Sequence, residues 1–107
     1  MSAEIPEGMI IETVWAVEGI YAPDAAQRRP AVRPEHLARI DRLIADGTVI
    51  VAGAFADMSA SLLLVRAPSE AAALELAEHD VYRRSGVWTS VRARPFGLVI
   101  RESDRPR

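Results

Sequence analysis

The stretch PEHLARIDRLIADGTVIVA, residues 34–52, holds a helix, its end and the strand that follows. Pro34 suits the first turn of a helix, where its missing N–H group costs no hydrogen bond. Gly47 is typical of the residue just past a helix end. The apolar residues between them recur at helical spacing: Leu37, Ile40, Leu43 and Ile44. We therefore predict a helix over residues 34–46 and a strand that begins at Val49.

The residues before and after this stretch are predicted to form three more strands and a second helix. Ser69 is a good N-cap, and Glu70 after it suits the positive end of a helix dipole. The other predicted elements are a strand over residues 10–17, a hairpin over 57–60, a strand over 61–65, a helix to about 78 and a strand over 88–100 that is broken near Pro95. The polar residues 19–32 are predicted to form a long loop. The order β-α-β-β-α-β predicts an α+β fold of the ferredoxin-like type with an antiparallel sheet.

The second and third strands are apolar at consecutive positions, at residues 49–51 and 62–65. Strands of this kind usually have both faces covered. Two helices cover only one face of a four-stranded sheet. We therefore expect the other face to meet the same face of a second copy, which would give a two-fold homodimer.

Length and composition indicate a single domain and give no sign of nucleic-acid binding, thiol chemistry or a membrane span. The 107 residues suit one domain, with an ordered core over about residues 10–100. The formal net charge of −2 gives no reason to expect nucleic-acid binding, and all 13 basic residues are arginines. The absence of cysteine excludes disulfides and thiol catalysis. No apolar run approaches the roughly 20 residues that span a bilayer, and residues 1–7 lack a signal-peptide pattern, so we expect a cytoplasmic protein without membrane contact.

One of the two histidines is a candidate proton carrier. His36 precedes Ile40 by four residues, which places it at the edge of the apolar stripe, whereas Arg39 is expected near the solvent side. Asp80 follows Leu76 by four residues and would extend the inward face of the second helix. If the two side chains meet, the carboxylate fixes the tautomer of the imidazole and leaves its other nitrogen free as a base. A first-turn position would also disfavour the imidazolium.

Both residues also have a purely structural interpretation. His36 could be a core histidine that bonds to a backbone carbonyl, and Asp80 could simply end its helix. No metal site is expected, because His36 with one or two carboxylates would make a poor one.

The candidates for substrate binding are less specific. Arg33 could hold a substrate carboxylate in a bidentate fork, or form a surface ion pair. Ser61 could donate a hydrogen bond into a cavity, or simply lie at the start of a strand. The aromatic side chains large enough to line a pocket or to fill the core are Trp15, Phe55, Tyr82 and Trp88.

Six segments, taken in order, resemble the YciI-like (YCII-related) proteins: residues 32–37, 51–53, 61–65, 80–82, 85–88 and 91–96. The resemblance covers nearly the whole chain and implies a dimeric α+β barrel. It implies a His/Asp site at His36 and Asp80, and cofactor-free proton transfer such as elimination of hydrogen halide from a ring. Two positions depart from the family pattern, since Val81 follows Asp80 where proline is usual, and Ala60 precedes Ser61 where glycine is common.

These observations lead to two functional hypotheses. The first is a small cofactor-independent lyase or isomerase that uses His36 and Asp80 on a small organic substrate, with a ring as the leading expectation. The second is a non-catalytic ligand-binding or accessory protein on the same scaffold, because a fold alone does not determine function.

Overall fold

The structure is a computed structural model that describes residues 5–105. Its elements are β1 (Met9–Tyr21), α1 (Ala25–Ala45), β2 (Val49–Ala54), β3 (Ala60–Val65), α2 (Glu70–Glu78), α3 (Val81–Arg84), β4 (Trp88–Arg101) and a short 3-10 helix (Glu102–Asp104). The sheet has the strand order β2-β3-β1-β4, and every neighbouring pair is antiparallel. The predicted ferredoxin-like α+β class is confirmed. None of the helices in the described residues is long and apolar enough to cross a membrane.

The predicted loop over residues 19–32 is wrong. β1 continues to Tyr21, and α1 begins at Ala25, nine residues before Pro34. The segment between them is rich in alanine and arginine, which favour helix. Pro30 and Pro34 are both exposed, as is Ala26, so the carbonyl groups that lose an intrahelical bond lie on the solvent side.

The predicted break near Pro95 is also wrong, because β4 is one continuous strand in which Pro95 lies opposite Trp15. β4 is an edge strand, so a residue without an N–H group is tolerated there. The second predicted helix is confirmed, since the Ser69 hydroxyl caps α2 by accepting a hydrogen bond from the Ala72 N–H group.

The core lies between the helices and one face of the sheet. Val17 and Tyr21 of β1, with Leu63 and Val65 of β3, belong to this buried cluster. The face of α1 that packs against this cluster is not the predicted apolar stripe. His36 and Ile40 are buried, whereas Leu37 and Ile44 are each 49% exposed. The latter two side chains line a cavity beside the core instead of filling it.

Trp88 is the largest fully buried side chain, and its position depends on a glycine of the neighbouring strand. A Cβ atom on Gly19 would lie 2.3 Å from atoms of the indole ring. The ring therefore packs directly on the backbone of β1, and any side chain at residue 19 would displace it.

The face of the sheet opposite the helices carries exposed apolar side chains, among them Val51 and Phe96. It also carries the ion pair of Glu18 with Arg92, whose Nε lies 2.9 Å from the carboxylate. The homodimer that would cover this face stays a prediction.

We predict that Gly19→Ala lowers the free energy of unfolding by about 2 kcal/mol or more, because overpacking a filled core costs roughly 1–3 kcal/mol. Gly53→Ala is the matched control, since a Cβ atom there meets nothing within 4 Å. Urea denaturation of both variants measures the difference. Equal stability of the two variants would contradict the packing described here.

Candidate active site

His36 and Asp80, 44 residues apart in the chain, are in direct contact. The Nδ1 atom of His36 lies 2.7 Å from Oδ1 of Asp80. His36 projects from the middle of α1, and Asp80 is the N-cap residue of α3, where its Oδ1 also accepts a hydrogen bond from the Tyr82 N–H group at 2.9 Å. The contact that the sequence left open is therefore present.

Arg39 supplies a third donor to the same carboxylate. Its Nη1 donates to Oδ2 of Asp80 at 3.0 Å, and its Nη2 donates to the carbonyl oxygen of Leu76 at 2.8 Å. The expectation that Arg39 lies near the solvent side is wrong, because its long side chain reaches across from α1 to the end of α2. The two side chains of α1 that meet Asp80 thus come from adjacent turns.

These donors decide the charge state of Asp80, which is fully buried. Burial by itself raises the pKa of the carboxyl group, but the hydrogen bonds from His36 and Tyr82 and the charge of Arg39 outweigh it, so the pKa lies below the usual aspartate value. An ionised carboxylate only accepts hydrogen bonds. Nδ1 of His36 must therefore carry a hydrogen, so whenever the ring is neutral the lone pair is on Nε2.

Two sequence expectations about this pair need correction. Asp80 does not extend α2, because α2 ends at Glu78 and Asp80 starts α3. His36 is not in a first helical turn but about three turns from the start of α1, beyond the reach of the dipole at the helix N-terminus.

The imidazole ring of His36 is held between two aromatic side chains. It stacks on Tyr82 with ring centroids 3.7 Å apart and planes 7° from parallel, and Trp88 meets it edge-on at 5.7 Å. Burial raises the pKa of Tyr82 to about 12, so this phenol stays neutral beside the imidazole. The stacking and the hydrogen bond to Asp80 together fix the orientation of the ring.

A cavity of about 180 Å³ opens beside this ring, between α1 and the strands β2 and β3. Four of the predicted site residues line it: Arg33, His36, Ser61 and Tyr82. Nε2 of His36 has no hydrogen-bond partner among residues 5–105. A bound molecule would therefore meet an unpaired acceptor on an oriented ring.

A chain of hydrogen bonds from the core ends at the same cavity. The indole Nε1 of Trp88 donates to the Ser61 hydroxyl at 3.1 Å, and that hydroxyl donates to the Tyr21 oxygen at 2.8 Å. With the Ser61 hydroxyl as the donor, the phenol hydrogen of Tyr21 has no acceptor in the described part of the chain. Tyr21, which lines the cavity, was missed because it fell in the predicted loop. Its alternation with Val17 and Gly19 along an extended strand is the signal that would have found it.

The two tryptophans of the predicted substrate site lie elsewhere. Trp15 donates from Nε1 to the Ala67 carbonyl oxygen at 3.1 Å, and Trp88 is enclosed in the core. Neither lines the cavity, but Trp88 contacts three residues that do, through its hydrogen bond to Ser61 and its edge-on packing against His36 and Tyr82. Phe55 also does not line it. Between residues 5 and 105, no three histidine, aspartate or glutamate side chains lie close enough together to hold a metal ion.

Comparisons with known proteins agree with this architecture. A family model described as the YCII-related domain matches residues 13–97. The protein YciI of Escherichia coli O6:H1 is 33% identical over 94 residues, which cover 76% of this chain and 96% of that protein. An uncharacterized protein of Haemophilus influenzae is 30% identical over 88 residues, which cover 73% of this chain and 90% of that one.

A solved structure shares the fold at lower sequence identity. It is 5-chloro-2-hydroxyhydroquinone dehydrochlorinase from Burkholderia phenoliruptrix AC1100, in complex with 2,5-dihydroxybenzoquinone. The match has a TM-score of 0.67 at 21% identity and covers 78% of this chain and 92% of the other.

We predict that Asp80→Asn lowers the free energy of unfolding by about 3 kcal/mol near pH 7, because it leaves Arg39 without its buried partner. Asparagine also caps helices well, so the substitution mainly removes charge. Since folding lowers the pKa of Asp80, its stabilisation is complete above the unfolded pKa and is lost as pH falls through the folded pKa. The difference from the wild-type chain should therefore shrink below about pH 4.

Chemical denaturation at several pH values measures this difference. Asp41→Asn is the matched control, because Asp41 is exposed on α1 and has no ion pair within residues 5–105. The charged state assigned to Asp80 is refuted if the deficit of Asp80→Asn is independent of pH.

Proposed function

Since this chain belongs to the YCII-related family, we propose that it is a small cofactor-independent lyase or isomerase that transfers protons through His36 and Asp80. The observation that carries the proposal is the 2.7 Å contact of these side chains at the wall of a cavity. It gives a neutral imidazole one free nitrogen, a fixed orientation and a carboxylate that stabilises the charge it gains. This combination is what a general base requires.

The proposed step begins with a substrate bound in the cavity. Nε2 of His36 takes a proton from a carbon or a hydroxyl group of the substrate, and the resulting imidazolium is stabilised by the ionised Asp80, which stays deprotonated. In an elimination, the electron pair of the broken C–H or O–H bond becomes part of a new double bond, and the leaving group departs as an anion with its own electron pair. In an isomerisation, the imidazolium returns the proton to another atom. The free phenol hydrogen of Tyr21 is available to an oxygen of the substrate.

Cavity size and the structural neighbour support a ring-shaped substrate. A cavity of about 150 Å³ in another protein accommodates benzene. The present cavity, at about 180 Å³, is of similar volume. The neighbour with the same fold is named for the removal of hydrogen chloride from a chlorinated hydroquinone. We propose a monocyclic compound as the substrate class and 5-chloro-2-hydroxyhydroquinone as the first compound to test.

We predict that His36→Gln lowers the rate of chloride release from this compound, or from related halogenated rings, by about 10²-fold or more, the usual contribution of a general base. His79→Gln is the matched control, because the chain's other histidine is exposed and outside the cavity. Chloride release is followed with an ion-selective electrode, and thermal unfolding checks that each variant is folded.

Two results would contradict the proposal. Undiminished turnover by folded His36→Gln would remove the base from the mechanism. Binding of ring compounds without turnover of any of them by the wild-type chain would favour the non-catalytic ligand-binding protein instead.

A further inference from the structure

Two arginines lie on the same face of α1 as His36. Arg29, Arg33, His36 and Ile40 follow one another at spacings of four, three and four residues, and all of them line the cavity. The two arginines also line a shallower hollow that adjoins it, together with Pro30, Pro34 and Leu37. The two arginines therefore line the cavity beside the imidazole as well as the adjoining hollow.

Neither arginine has an acidic partner. No carboxylate within the described residues lies within 4.0 Å of Arg29 or Arg33, whereas Arg28 and Arg39 of the same helix pair with Asp24 and Asp80. No aspartate or glutamate lines the cavity or the hollow. Asp80, the nearby acid, is bonded to His36 and Arg39. The accessible side of the site therefore carries uncompensated positive charge.

Arg29 is also held in place within the site. Its Nη1 lies 3.5 Å from the sulfur atom of Met58, and its guanidinium carbon lies 5.9 Å from the centre of the Tyr21 ring. These contacts orient the side chain without neutralising its charge. A guanidinium positioned beforehand loses less conformational entropy when it binds an anion.

From this charge pattern we propose that the cavity binds a monocyclic organic carboxylate whose acidic group is held by Arg29 and Arg33, an inference that rests on the proposed function of the same site. Guanidinium groups match carboxylates in a bidentate fork. Arg33 precedes His36 by three residues, or about 4.5 Å along the helix axis. A carboxylate at Arg33 thus places the ring it is attached to beside Nε2 of His36. The arginines select an acidic substrate and set which atom faces the base.

The test compares benzoate with benzamide, a neutral molecule of nearly the same shape. Binding is followed by NMR titration of the wild-type chain and of Arg29→Gln, Arg33→Gln and the double variant. Arg42→Gln is the matched control, because Arg42 lies on α1, is exposed and lines neither the cavity nor the hollow. We expect benzoate to bind at least about tenfold more tightly than benzamide, as loss of a hydrogen bond to a charged group implies. Each cavity variant should lose most of this preference, and Arg42→Gln should keep it.

The inference is overturned if benzoate shows no binding or binds no better than benzamide. It is also overturned if the double variant keeps the wild-type preference, or if Arg42→Gln loses as much. Because binding is measured without turnover, its outcome is separate from that of the proposed reaction. If the preference depends on both arginines while His36→Gln stays active, the acidic ligand stands and the proposed base fails. If the preference for benzoate is absent while His36→Gln is inactive, the proposed base stands and the acidic ligand fails.

Discussion

The hydrogen bond between Nδ1 of His36 and Oδ1 of Asp80 organises the site and the packing of the helices around it. Asp80 is fully buried, and a buried charge is tolerated only with close partners. Its partners are His36 and Arg39 from α1 and the Tyr82 N–H group from α3. One carboxylate therefore ties the long helix to the segment between α2 and β4. The same bond orients the imidazole, so both the packing of the helices and the geometry of the candidate site depend on one contact.

The sheet determines what lies on the other side of the cavity. Gly19 admits the Trp88 indole against the backbone of β1, and the buried indole N–H then orders the hydroxyl groups of Ser61 and Tyr21. Tyr21 and Ser61 of the sheet and His36 of α1 thus line one space of about 180 Å³. The packing of Trp88 requires glycine at residue 19, which therefore influences the site although Gly19 itself does not line the cavity.

The sequence allowed prediction of features that depend on local pattern. Element order, the Ser69 cap of α2 and the inward position of His36 follow from periodicity and capping chemistry. The errors arose where context overrides pattern. Pro30 lies in the predicted loop and Pro34 at the predicted start of a helix, yet both fit on the exposed side of one long helix. Arg39 lies off the apolar stripe, but its side chain is long enough to reach Asp80. The burial of Trp88 depends on the missing side chain of Gly19 in the neighbouring strand. Residue spacing along the chain does not reveal such a contact between strands, and it did not reveal that β1 extends to Tyr21.

Asp80 accepts a hydrogen bond from Nδ1 of His36, which favours the tautomer of the neutral ring with hydrogen on Nδ1 and a free Nε2. Nitrogen-15 NMR of the histidine ring, through its long-range couplings to ring hydrogens, measures this tautomer directly. We predict that, in the neutral ring, Nδ1 is the protonated nitrogen and Nε2 is not, and that replacing Asp80 by asparagine weakens this preference. A ring with its hydrogen on Nε2 in the wild-type protein, or a tautomer that does not depend on residue 80, would contradict it.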